Sequence, residues 1–73
     1  MEILKKFESG KTKVQHGDVV IFVKPYMFGS ESGMIVRSRS RVLTRDEVET
    51  AYKLATGEKA KGCRVNGNNW EVR

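Results

Sequence analysis

The run Val19-Val20-Ile21-Phe22-Val23 constrains this chain more than any other segment. It is short, β-branched and aromatic, and Gly17-Asp18 and Pro25 fence it on either side, so a strand over Val19 to Lys24 is expected. Its apolar side chains point both ways, which suits a strand that is central or covered on both faces. Pro25 lacks a backbone donor and disfavours helix at Lys24, so the strand should end or reach a sheet edge there.

The rest of the chain reads outward from that strand. Ile3 to Glu8 and Lys13 to Gln15 are short strand candidates, separated by the turn Ser9-Gly10-Lys11. After Tyr26-Met27-Phe28, the small polar residues Gly29 to Gly33 read as a flexible hairpin loop, followed by a long strand from Met34 to Leu43. Thr44 with Glu47 three residues later is a capping box, and Asp46 and Glu47 suit the positive end of a helix. Val48, Ala51, Tyr52 and Ala55 recur at helical spacing, and Gly57 is placed as the left-handed cap. Cys63-Arg64-Val65 and Trp70-Glu71-Val72 flank Asn66-Gly67, a strong hairpin signal. The predicted class is α+β: a mostly antiparallel sheet of about four or five strands with one helix, about 45–56, packed on one face. One small domain, 1–73, is the expected organisation, with no internal repeat and no linker.

A chain of 73 residues buries only about 60% of its unfolded surface. Such a core supplies about 3–5 kcal/mol, so dimerisation is compatible with every functional reading. Cys63 is the only cysteine and His16 the only histidine, which leaves no disulfide and too few soft ligands for a zinc site. No metal or other cofactor is expected. A lone thiol suits a reducing compartment, and the expected location is cytoplasmic. The longest apolar run is five residues, too short to span a bilayer, and Met1 to Lys6 has no signal-peptide core. Dinucleotide, P-loop, HExxH, CxxC and GxSxG motifs are all missing.

Charge carries the functional signal. The chain has 14 Lys and Arg against 9 Asp and Glu, for a net charge of +5. Within Arg37-Ser38-Arg39-Ser40-Arg41, a strand would set the three guanidinium groups about 6.6–6.8 Å apart on one face. Such a row fits phosphate oxygens. The structural alternative is a solvated face partly paired with acids such as Asp18 or Glu71, and a phosphorylated Arg-Ser tract is a further reading. Arg45 extends the run. Lys59, Lys61 and Arg64 form a second basic cluster that would join the first if the last hairpin lay beside the arginine strand. Lys24 and Tyr26 complete the expected nucleic-acid-binding set, with Tyr26 as the stacking candidate. Phe22 and Trp70 are expected in the core, and Phe28 fits either place. Cys63 is expected to fill space in a strand, and Asp46 and Glu47 to cap the helix.

Four readings follow from this set. The first is a small non-enzymatic regulatory protein that binds nucleic acid, RNA or single strands in preference to duplex DNA, since Asp46, Glu47 and Glu49 make the helix a poor recognition helix. The alternative is a protein-binding inhibitor or regulator of viral or mobile-element type, whose basic face docks an acidic partner surface. A ribonuclease toxin acting through His16 and the arginines is a lesser alternative, because His16 in a turn has no partner at recognisable spacing. A purely structural oligomeric subunit is the fourth.

Overall fold

The computed structural model describes all 73 residues. Six strands form one antiparallel sheet: β1 (Glu2–Lys6), β2 (Thr12–His16), β3 (Val19–Phe28), β4 (Glu31–Ser38), β5 (Cys63–Asn66) and β6 (Asn69–Val72), with α1 (Arg45–Thr56) between β4 and β5. Their spatial order is β1-β2-β3-β4-β6-β5. The predicted α+β class therefore holds, with six strands where four or five were expected. As predicted, β3 is central.

Three connections, Gly17-Asp18, Gly29-Ser30 and Gly67-Asn68, are two-residue turns between directly paired strands. Each opens on a glycine with φ between 61° and 65°, the backbone that hairpins with glycine at the first central position require. The expected flexible loop over 29–33 is accordingly reduced to Gly29-Ser30, and Glu31, Ser32 and Gly33 already pair with Phe28, Met27 and Tyr26.

Pro25 does not end β3. The pairing of β2 with β3 stops at Thr12 opposite Val23, while β4 accompanies β3 as far as Phe28. Pro25 thus lies where β3 has one neighbour, and a locally free edge tolerates a missing donor.

The expected strand over Met34 to Leu43 stops early, at Ser38. β6 reaches only Asn69 opposite Arg37, and although β3 runs on to Val19, its pairing with β4 ends at Ile21 opposite Ser38. A local bond then turns the chain. The Ser38 hydroxyl accepts from the Ser40 backbone N–H at 3.3 Å and meets the Ser40 hydroxyl at 3.0 Å. Serine hydroxyls in this i, i+2 arrangement compete with the strand ladder.

Helix α1 covers one face of the sheet. Thr44 caps it with both capping-box bonds present, and Gly57 ends it in the left-handed conformation. Val48, Ala51 and Tyr52 pack against Val14, Val19, Ile21, Val23, Val36 and Val72, with Leu43 completing the core. Trp70 is half-buried at the margin of this core, and its indole N–H donates to the Leu43 carbonyl at 2.9 Å. That bond ties the 39–44 connection to β6. Phe22, by contrast, is not in the core. It alternates with Ile21 and Val23 and so faces away from the helix, half-buried.

Phe28 depends on a neighbour without a side chain. A Cβ on Gly33 would stand 2.5 Å from the Phe28 ring and 2.7 Å from the Val72 carbonyl oxygen. Gly33→Ala should therefore displace the ring and strain the β4–β6 ladder, at a cost of about 1–3 kcal/mol. Denaturant titration should show a lower midpoint with an unchanged slope.

Candidate nucleic-acid interface

Side chains alternate along each strand, and residues opposite one another share a face. The pairings therefore define the surface opposite the helix. One row across the sheet reads Lys5, Lys13, Phe22, Arg37, Asn69 and Asn66. The next reads Lys24, Ile35, Glu71 and Arg64. Tyr26 opposes Gly33, and Phe28 opposes Glu31. Ile35 is only 7% exposed although it lies outside the helix-side core. Stems of the long side chains around it cover apolar surface while their heads stay in water.

Two clusters of rings stand on this face. In the first, cations and rings alternate. The Lys5 ammonium lies 4.8 Å from the Phe7 ring centroid and the Lys11 ammonium 5.4 Å from it. Lys11 is also 4.7 Å from the Phe22 centroid, and the Arg39 guanidinium lies 5.5 Å from that same ring. In the second, the Tyr26 and Phe28 centroids are 5.0 Å apart with the planes tilted at 53°. Arg73 lies over Phe28 at 5.2 Å. Tyr26 is 49% exposed, which leaves its ring free for another planar group.

The ion pairs separate the basic residues sharply. The protein has four, His16–Glu47, Arg41–Glu47, Arg64–Glu71 and Arg73–Glu31. Lys5, Lys11, Lys13, Lys24, Arg37 and Arg39 belong to none of them. Lys5 directly opposes Lys13, and like charges in that position repel. This face is an electrostatic cost to the isolated fold and an attraction for an anion.

The expected row Arg37, Arg39, Arg41 does not form, because β4 ends at Ser38, within it. Arg37 remains on the open face, while Arg39 projects from the bend and reaches Phe22. Arg41 is already clasped: its guanidinium donates to both Glu47 oxygens, at 2.7 and 2.6 Å. Arg45 begins the helix and stands near Cys63, away from the open face. Lys24 and Tyr26 both stand on the open face. Lys59 and Lys61 are exposed in the connector between α1 and β5. Arg64 shares the open face, but it donates to Glu71 at 2.6 Å, and β6 stands between it and β4. The last hairpin does lie beside β4, through β6, yet the two basic clusters stay apart because Arg64 sits on the outer strand β5 and is held by Glu71.

Phe7, Lys5, Lys11 and Lys13 enter the site without having been singled out in the sequence, and Phe22, expected in the core, joins them. Their signal was the i, i+2 spacing of Lys5 with Phe7, of Lys11 with Lys13, and of Phe22 with Lys24 and Tyr26. On strands this spacing sends each set to one side.

The histidine does have a partner, but one outside the interface. His16 Nε2 is 3.2 Å from Glu47 Oε2. Glu47 also accepts from the Thr44 backbone N–H at 2.9 Å as well as from Arg41. The bond from Arg41, supported by the Thr44 N–H, lowers the Glu47 carboxyl to about 2. A carboxylate held so firmly is a poor general base at neutral pH, and its bonds join β2, the 39–44 connection and α1. On β6, Arg64 first and Asn66 second hold the Glu71 carboxyl below the usual range. Burial pushes the Cys63 thiol up, keeping it in the unreactive protonated form. No three His, Cys, Asp or Glu side chains group to hold a metal ion, and no helix is long and apolar enough to cross a membrane.

Comparison with family models, with curated proteins and with solved structures finds no match for this chain.

The Glu47 cluster makes stability depend on acid. Because folding lowers this carboxyl, its contribution is complete above about 4.5 and is lost as pH falls through about 2. Glu47→Gln should cost about 1 kcal/mol at pH 7. The gap between variant and wild type should close between pH 4.5 and 2. Urea melts at successive pH values measure it, and a gap that stays constant across that range would contradict the assignment.

Proposed function

We propose that this protein binds single-stranded nucleic acid, RNA foremost, across the helix-free face of its sheet, as a regulatory module that breaks no bond. The observation that carries the reading is the set of unpaired cations interleaved with rings: Lys5, Lys11, Lys13, Arg37 and Arg39 around Phe7 and Phe22. A single strand presents alternating phosphates and flat bases, and this face presents alternating charges and rings. Base–ring stacking contributes about 1–3 kcal/mol per base and tolerates any sequence. Tyr26 and Phe28, with Lys24 beside them, would extend the track toward the far end of β3.

A duplex is a poorer fit. Its bases are stacked away from the rings, and α1 carries Asp46, Glu47 and Glu49 where a groove-reading helix needs cations. The unpaired thiol of Cys63 keeps a cytoplasmic setting part of the same proposal.

The test is a mobility shift with a uridine-rich 12-nucleotide RNA across a salt series. Wild-type binding should weaken steeply with salt. Replacing Lys13, Arg37 and Arg39 together with Ser should reduce the log–log slope by about 0.7 for each phosphate left without its cation. Arg41→Ser should leave the slope unchanged, because Glu47 already holds that guanidinium. The triple variant should fold, since it relieves repulsion at the Lys5–Lys13 pair. No shift at low salt, or equal slopes for wild type and triple variant, would overturn the reading. It would transfer the basic face to an acidic protein partner.

A further inference from the structure

A pocket of about 310 Å³ opens at the end of the interface where β2 and β4 finish and β3 begins. Phe22 and Val20 line it with the two cations Lys13 and Arg39, the Ser40 hydroxyl and one acid, Asp18. Asp18 belongs to no ion pair, and although its charge is felt by Arg41 outside the pocket, neither of the two cations lining the pocket holds it. The Gly17-Asp18 turn exposes it at the rim. A track made for phosphates alone gains nothing from a free carboxylate, which repels the polyanion.

A nucleotide resolves the contradiction, because it carries donors as well as charge. Its phosphate is an acceptor for Lys13 and Arg39, and its base has an apolar face for Phe22. Asp18 then meets the edge of the base. A carboxylate presents two acceptor oxygens and no donor. Adenine and cytosine each offer it one exocyclic amino group, and uracil a single N–H. Guanine alone places two adjacent donors, N1–H and N2–H, on its Watson–Crick edge, which match both oxygens at once. We infer that the Lys13–Asp18–Phe22–Arg39 pocket is a guanine subsite, which gives the interface one preferred base at one end. This rests on the single-strand reading above and adds base choice to it.

Three otherwise identical uridine-rich 12-nucleotide RNAs test the inference: one with a central guanosine, one with inosine there, which keeps N1–H and lacks the amino group, and one with uridine throughout. The guanosine strand should bind about ten-fold tighter than the uridine strand, with the inosine strand between them. Asp18→Asn should abolish that ranking while leaving uridine-strand affinity unchanged or slightly raised, because a negative charge is removed. Asparagine suits the turn as well as aspartate does, so the variant should fold. Equal binding of all three RNAs by wild type would overturn the guanine subsite and leave the single-strand reading standing. A ranking that survives Asp18→Asn would overturn the role of Asp18 and the subsite with it. Failure of every strand to bind would remove both.

Discussion

A single helix cannot cover both sides of a six-stranded sheet. Twelve residues make a rod about 18 Å long, and six strands spaced by about 4.8 Å make a surface about 24 Å across. The helix takes the face where Val14, Ile21, Val23, Val36 and Val72 converge. The opposite face stays in water, and its composition is the result of that asymmetry. Phe7, Phe22, Tyr26 and Phe28 have no second layer to enter. They stay at the surface, where lysine and arginine stems shelter them in part.

Charge is sorted along the same division. The acids of α1 and its cap serve the helix: Glu47 satisfies the Thr44 N–H, draws in Arg41 and approaches His16. Glu31 and Glu71 are engaged toward the β6 side of the sheet, by Arg73 and Arg64. What remains on β1, β2 and the middle of β3 and β4 is an excess of unpaired positive charge. Isolated folds gain nothing by placing Lys5 against Lys13. Under the proposed function, the phosphates of a bound strand would balance that charge.

Local chemistry makes much of the fold legible from the residues. The capping box at Thr44 and Glu47, the glycine at 57, the turns at Gly17-Asp18 and near Asn66-Gly67, and the β-branched run of β3 are each decided by neighbours in sequence. The end of β4 is not. It depends on where β6 stops and where the chain peels away from β3, and on a Ser38–Ser40 bond that two serines flanked by arginines do not advertise. The extended row Arg37, Arg39, Arg41 disappears with it. Phe22 is misplaced by sequence reasoning for a related cause: an apolar run that points both ways fits two covered faces or one, and only the number of helices decides. The lysines of β1 and β2 share a face with Phe22, and that follows from strand order, which the spacing of a single segment cannot reveal.

The pairing of β1 with β2 shifts register between Ile3 and Lys5, so Leu4 is left over and 47% exposed. An uninterrupted outer strand is a template on which further copies can stack without limit. The irregularity breaks that template, and the ammonium groups of Lys5 and Lys6 beside the break repel an identical edge. The β1 edge can therefore border a wide, wet and partly aromatic surface and still resist pairing with its own copy.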